Sequence, residues 1–380
     1  MDRLAGGGNA GHSIASMSQF ELDPMATSTS PEEIARALVD PGFGKYFTDH
    51  MASARFTRDA GWHRLVIEQT KPFELHPSAG VLHYGQEIFE GLKAYRRDDD
   101  SVWLFRPRKN AVRFAASAER LSMAPLPPEV FVDAVTTLVD LDRAWVPAPA
   151  KEQSLYIRPF EIASETFLGV RESHEYTFTV IASPVGPYYP DPVWLWATPT
   201  FTRAASGGTG AAKCGGNYAA SLIAAGEAKQ HSCDQVLWLD GAEHRWVEEC
   251  GTMNILFVTR DGELITPELR GTILDGVTRD SLLKLAPLHG LTPVERQIGI
   301  HEVATRIASG EICEVLACGT AAVVVPVLGI RRPGATLDAH DVTLPVADAT
   351  PGPKTMAMRG HLLDIQYGRA ADPFGWTVRV

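Results

Sequence analysis

The chain has 380 residues, 45% of them hydrophobic and 21% charged, which is enough apolar material for substantial cores and too little charge for a polypeptide that stays unfolded. Its 46 acidic against 35 basic residues give a formal net charge of -11, which argues against a general affinity for nucleic acid or anionic lipid. The apolar stretch over 321–330 is interrupted by Pro326 and Gly329 and falls short of the roughly 18 residues a spanning helix needs, so no membrane span is expected.

The first 30 residues lack the basic start and long apolar centre of a secretory signal, and their Gly and Ser/Thr content predicts a mobile extension. Organised sequence begins at Pro31, where Ser30 can cap a helix running through Ile34 to Leu38. Alternation of apolar and polar residues predicts strands over 62–67 and 80–82. Helical spacing follows at Ala111, Phe114, Ala115 and Ala118 within 108–121, and at Phe131, Ala134, Val135 and Leu138 within 128–141. Strand-like runs occupy 154–157 and 176–182.

SPVGPYYPDP, residues 183–192, carries four prolines and one glycine and is the expected interdomain connection. Drawn at 184–193, it separates a smaller N-terminal domain over 31–183 from a larger C-terminal domain over 194–380. Beyond it come a Gly-rich stretch, a helix over 217–229, strands at 235–239 and 253–259, and a helix over 278–285. Helices and strands interleave on both sides, so an α+β organisation in two domains is preferred to a helical bundle. The five cysteines (Cys214, Cys233, Cys250, Cys313 and Cys318) are odd in number and form no CxxC pair. They suggest neither a disulfide framework nor a zinc ribbon, and a reducing, cytoplasmic compartment is expected.

The stretch SGGTGAAKCGGNYAASL (206–222) is the most informative. Lys213 is the only charged residue between Ala204 and Gly226, and five glycines around it let backbone approach a ligand closely. An amine in such surroundings loses hydration of its charged form, which makes it a Schiff-base candidate. The other reading is a surface loop that happens to hold one lysine. A Walker phosphate loop fails on spacing, because Ala212 precedes Lys213 and Cys214 follows it.

In ILDGVTRD (273–280), Gly276 precedes Val277 and Thr278 at a predicted helix start, where free N–H groups suit a phosphate or serve ordinary capping. VEECGTMN (247–254) places Glu249 two residues before a glycine at the foot of a strand. Cys-Gly-Thr occurs twice, at 250–252 and 318–320, as an anion-binding turn or a plain one. The absence of HExxH and of a Gly-x-Ser-x-Gly elbow argues against metal catalysis and serine hydrolysis.

Taken in order, KCGGNY at Lys213, ECGTMN at Glu249, GVTRD at Gly276 and GTA at Gly319 resemble the fold-type-IV pyridoxal-phosphate enzymes. Within them, LHYGQEIFEGLKAYR (82–96) and LYIRPF (155–160) resemble the branched-chain amino acid aminotransferases, and the resemblance runs from Phe20 to Trp376. It implies a two-domain fold with pyridoxal 5'-phosphate at the domain interface. Lys213 would hold the cofactor as an internal aldimine and shuttle the substrate proton. Glu249 would face the ring nitrogen and Tyr218 the ring oxygen. Arg113, the backbone of Val277 and Thr278, and Thr320 would hold the phosphate, with Arg203 in an outer shell.

For the substrate, the resemblance implies a carboxylate site from the backbone of Thr320 and Ala321 with Tyr156 and Arg158. Tyr84, Phe89 and Tyr188 would enclose a branched side chain. The implied reaction exchanges the amino group of L-leucine, L-isoleucine or L-valine with 2-oxoglutarate, returning 2-oxo acid and glutamate. A homodimer is implied, with the loop carrying Leu168 and Val170 reaching the partner's site. A D-amino acid aminotransferase and an aminodeoxychorismate lyase share the lysine and glutamate, although FEGLKAYR argues against both; a non-catalytic cofactor-binding protein is the rival of another class. The chain departs from some relatives in carrying Ala322 and Val325 where they have a redox CxxC.

Overall fold

A computed structural model describes residues 18–189, 191–334, 341–346 and 349–380. The N-terminal half supplies strands β1 (Glu21–Leu22), β2 (His50–Thr57), β3 (Gly61–Gln69), β4 (Glu87–Phe89), β5 (Leu92–Arg96), β6 (Val102–Phe105), β7 (Ser154–Ala163) and β8 (Glu175–Val185). The C-terminal half supplies β9 (Val193–Ala197), β10 (Gln235–Leu239), β11 (Val247–Cys250), β12 (Met253–Thr259), β13 (Glu263–Thr266), β14 (Thr292–Glu295), β15 (Ile312–Gly319), β16 (Val323–Arg332), β17 (Val342–Pro345) and β18 (Thr377–Arg379).

The first sheet runs β1-β3-β2-β8-β7-β5-β6-β18, with β4 beside β7. Helices Pro107–Arg120 and Pro128–Leu141 cover it, because Phe114, Phe131, Val135 and Leu138 recur at helical spacing and meet Phe178, Ile157 and Leu104 in one core. The second sheet runs β11-β10-β9-β16-β15-β12-β13-β14, and β11 also pairs with β12, so six strands close into a ring. Inward alternation is legible in Leu195, Leu237, Ile255, Ala317 and Val325, which join helix Ile300–Ala308 in a second core. A third core unites Tyr95, Phe105 and Trp376 with Leu256, Leu316 and helices Val277–Leu285 and Pro353–Gln366, and so ties the two sheets together.

The chain passes from the first sheet to the second between the end of β8 and the start of β9, and returns after helix Pro353–Gln366, where β18 pairs with β6. The last strand therefore packs with the N-terminal half. Of the predicted mobile extension, 1–17 lie outside the described residues. Residues 18–30 are anchored instead: Phe20 is buried, the Gln19 N–H donates to Asp133 (2.8 Å), β1 pairs with β3, and the Thr29 N–H donates to Asp49 (3.0 Å). Ser30 forms a reciprocal capping box with Glu33.

Two predicted elements differ. The strand expected over 80–82 is a helical turn, Gly80–Tyr84, because Gly85 adopts the left-handed conformation that ends it. The helix expected over 217–229 begins at Gly215 and divides into Gly215–Ala219 and Leu222–Gln230, with the Ser221 hydroxyl donating to the Tyr218 carbonyl at the break (2.7 Å).

One buried group opposes this packing. Glu161 on β7 is wholly buried, neither carboxylate oxygen has a hydrogen-bond partner, and burial pushes its carboxyl far above the ordinary range. A raised folded-state value means that above the ordinary carboxylate range folding takes up a proton, so this group subtracts stability as pH rises. Glu161→Met is expected to stabilise the protein by about 1–3 kcal/mol. The gain should be larger at pH 8 than at pH 5 in denaturant melts, and an equal gain at both would refute the ionisation argument.

Candidate active site

A cavity of about 510 Å³ opens between the two sheets. It is lined by Phe89, Arg113, Tyr156, Arg158, Tyr188, Lys213, Tyr218, Val277, Thr278, Thr320 and Ala321. Eleven residues singled out from the sequence, contributed by both halves of the chain, therefore converge on one space.

Lys213 lies in the loop between β9 and helix Gly215–Ala219. Asn217 ties that loop down, its amide donating to the carbonyls of Thr209 and Ala212 (both 2.9 Å). The backbone of Lys213 is held from the N-terminal half of the chain: its N–H donates to Ser117 Oγ (3.0 Å) and its carbonyl accepts from the Phe89 N–H (2.9 Å). The side chain runs into the cavity, where Nζ donates to the Tyr218 hydroxyl (2.7 Å) and stands 4.7 Å from the centre of the Phe89 ring. Gly215 lets the Glu87 carboxylate close on the backbone, its N–H donating to Glu87 Oε1 in the space a Cβ would enter.

Arg113 projects from helix Pro107–Arg120. Its Nε and Nη2 donate to the two carboxylate oxygens of Glu90 (2.6 and 2.9 Å), and Nη1 donates to the Asp275 carbonyl (2.8 Å). Glu90 is wholly buried, which by itself would push its carboxyl up, but the charge and hydrogen bonds of Arg113, with Lys213 and Asn110, together outweigh that burial and hold it below the ordinary range. Two guanidinium hydrogens remain after these three bonds. Beside Arg113, helix Val277–Leu285 starts at Gly276 with no side-chain cap, presenting Val277 and Thr278 to the cavity. A Cβ at Gly276 would meet the Asn254 side-chain oxygen, so glycine lets the helix start pack close to the Asn254 side chain of β12.

Glu249, on β11, lies behind the cavity and faces a small adjoining space that it shares with Tyr218 and Arg203. One oxygen accepts from the Leu274 N–H (2.7 Å) and the other lies 3.3 Å from Arg203 Nε. Burial nonetheless raises its carboxyl above the ordinary range, against the pull of Arg203. Arg203 is partly buried, its side chain only 7% exposed, donates to the Thr272 carbonyl, and keeps Nε without a hydrogen bond. On the opposite wall, Arg158 donates to the Tyr156 hydroxyl (3.1 Å) and lies over the Phe89 ring at 4.7 Å. Gly91 leaves the space that the Tyr156 hydroxyl occupies.

Tyr84 is not brought to the cavity. It ends the short helix Gly80–Tyr84, is 45% exposed, and stands on the same edge as the 166–171 loop through the Ala79–Thr166 bridge. Several residues that shape the cavity carry no separate signal in the sequence. Glu90 sits inside FEGLKAYR yet is recognisable only by its pairing with Arg113. Glu87 also lines the cavity, as does Phe43, which meets Tyr156 at a tilt and Tyr188 edge-on (centroids 5.1 and 4.8 Å). Among the described residues no cluster of three or more metal-ligating side chains occurs.

The chain belongs to the amino-transferase class IV family, whose model matches residues 87–330. Similar proteins include the branched-chain-amino-acid aminotransferase of Mycolicibacterium smegmatis, 51% identical over 90% of this chain and 93% of the relative. The enzyme of that name from Mycobacterium tuberculosis H37Rv is 49% identical over 93% of this chain and 95% of the relative. Among solved structures, a branched-chain amino acid aminotransferase from T.th. complexed with N-(5'-phosphopyridoxyl)-L-glutamate has a TM-score of 0.67 at 27% identity, covering 86% of this chain and 98% of that one.

Proposed function

We propose that this chain is a pyridoxal-phosphate transaminase that exchanges the amino group between branched-chain L-amino acids and 2-oxoglutarate. The observation that carries it is the Lys213 amine, the one lysine amine among the described residues of the cavity lining, set between an anion-binding helix start and a buried carboxylate. The relatives at about half identity bear that name, and a structural neighbour holds a phosphopyridoxyl derivative of L-glutamate.

The residues fit the cofactor. The uncapped helix start at Val277 and Thr278, the spare donors of Arg113 and the Thr320 turn suit a phosphate dianion. Glu249, made more basic by burial, suits a protonated ring nitrogen, and Tyr218 suits the ring oxygen. When bound, the cofactor supplies an electron sink that stabilises charge developing at the substrate Cα. Lys213 would hold the cofactor when substrate is absent and, when freed, would carry the proton between the substrate Cα and the cofactor carbon on the far side of the shared nitrogen. Tyr218, hydrogen-bonded to Nζ, orients that amine between the two positions. Arg203 holds Glu249 in place from behind.

The substrate would lie with its carboxylate at the Thr320 and Ala321 backbone and near Tyr156 and Arg158. Its side chain would rest among Phe89, Tyr188 and Phe43, where an aliphatic group is dehydrated on entry. Arg158 is the cation placed to meet a glutamate side chain.

The assembly is read as a homodimer. Leu168 and Val170 are 64% and 89% exposed on a loop beside Tyr84, an apolar edge suited to closing a partner's cavity. Among the described residues no helix is long and apolar enough to cross a membrane. All five cysteines are free, which supports a cytoplasmic location.

The test is an amino-exchange assay on the purified holoenzyme with L-leucine and 2-oxoglutarate, following glutamate and 4-methyl-2-oxopentanoate in equal amounts. Turnover of L-leucine, with none of D-leucine, is expected. Absence of L-leucine turnover while a D-amino acid reacts would replace the reading with the D-specific one.

A further inference from the structure

Lys93 lies in the middle of β5, only 4% exposed, and takes no part in the site described above. Its ammonium donates a 3.0 Å hydrogen bond to the carbonyl oxygen of Ala321. Ala321 belongs to the turn between β15 and β16, whose front, at Thr320, Ala321 and Ala322, lines the active-site cavity. Lys93 reaches that turn from behind, through a separate small cavity.

The turn is strained and clamped. Val323 has φ +59°, a left-handed conformation that a β-branched residue adopts only when its surroundings impose it. The surroundings are two cations. Arg359 Nε donates to the Val324 carbonyl (3.2 Å) while its Nη atoms make a bidentate pair with Glu152 (2.8 and 2.5 Å), and Lys93 takes the Ala321 carbonyl. In a planar trans peptide the carbonyl and the following N–H point in opposite directions. A bond that draws the Ala321 carbonyl back toward Lys93 therefore turns the Ala322 N–H toward the front of the turn.

We propose that Lys93 is a positioning residue for recognition of the substrate α-carboxylate: it fixes the 320–322 peptides as anion-binding donors and places a buried positive charge behind them. The inference rests on the transaminase reading above, since it assigns the turn to the substrate carboxylate.

The charge is conditional on pH. Burial brings the Lys93 ammonium down to about 8, with Glu152 opposing the shift and Arg359 adding to it. The charged and titratable groups that face it are Tyr95 on its own strand, Glu152 in the turn before β7, Tyr188 and Tyr189 after β8, and Arg359 and Tyr367 from the C-terminal helix and its end. Burial raises the hydroxyls of Tyr95, Tyr189 and Tyr367, so these three stay neutral where Lys93 titrates. Because the folded value is lowered, the charge is present below about pH 8 and lost above it.

Competitive inhibition of the holoenzyme by 4-methylpentanoate and by its uncharged amide separates this role from a merely structural one. In Lys93→Met the inhibition constant of the acid and the KM for L-leucine should rise about tenfold, with the amide's constant and the cofactor absorbance unchanged. Lys93→Arg should restore most of the acid's affinity. In the wild type the acid should bind several-fold more weakly at pH 9 than at pH 7, a step that Lys93→Arg removes.

Equal loss for acid and amide, or a wild-type constant for the acid in Lys93→Met, would overturn the proposal. Should Lys93→Met fail to fold, the wild-type and Lys93→Arg pH series decide it, a flat acid profile in the wild type being the overturning result. A wild type that transaminates no L-amino acid would instead overturn the function on which the proposal rests.

Discussion

Lys213→Ala is expected to lower kcat/KM for L-leucine on the order of 10⁴-fold, because in the proposed transaminase one amine would both retain the cofactor and move the Cα proton. The structure supports the assignment by exclusion as well as by position. Lys213 is the lysine that lines the cavity, and Lys93, on the adjoining strand, is turned away behind Ala321. Among the described residues no other lysine lines the cavity to substitute for it. The loop's anchors are backbone bonds and the Asn217 amide, none of which uses the lysine side chain, so the variant should fold and melt like the wild type. Steady-state assays at saturating cofactor, with small alkylamines added to replace the missing base, measure both parts. Activity within tenfold of wild type without added amine would remove Lys213 from the chemistry.

Glu90→Gln should show the next largest effect, and on stability as much as on activity. The Glu90 carboxylate is fully buried and holds Arg113 through two hydrogen bonds while also accepting from Asn110 (2.8 Å) and the Gly91 N–H (3.0 Å). Removing its charge leaves a buried guanidinium without a counter-ion, which typically costs about 3–5 kcal/mol. On the proposed function, Arg113 would also lose the fork that would aim its remaining hydrogens at a phosphate, so cofactor affinity should fall together with the denaturation midpoint. Since Glu90 is held below the ordinary carboxylate range, its contribution is present above that range and is lost as pH falls through the folded value. The stability gap between wild type and variant should therefore be widest near neutrality and close in acid. A gap that is absent at pH 7 would show that the pair contributes no net stability.

Much of this site was legible before any coordinates. The five glycines around Lys213, the Gly276-Val277-Thr278 helix start and the Gly319-Thr320-Ala321 turn each signal backbone that must come close to something. Glycine and uncapped helix starts mark such places locally, within a few residues of sequence. Helices Pro107–Arg120 and Pro128–Leu141 were legible for a related reason, since apolar residues at helical spacing can be buried only one way. The helical turn Gly80–Tyr84 was not, because five residues are too few to separate a strand's alternation from one turn of helix. Residues 18–30 read as mobile because their composition is polar, and what anchors them is distant: Asp133 and Asp49 are hydrogen-bond partners that no local pattern announces.

The sequence by itself determined the kinds of group this protein brings to its chemistry: one lysine in a glycine-rich loop, a helix start without a cap, an acid at the foot of a strand, and an acidic, cysteine-poor chain around them. Only the tertiary structure decided which of them face one another. Glu90 became the partner of Arg113, Tyr84 moved to an exposed edge, and Lys93 passed behind the Ala321 turn, because side chains far apart in sequence meet only when two sheets close over a shared core. Local patterns are set by backbone conformation and periodicity, whereas the pairing of buried charges is set by which distant surfaces exclude water together.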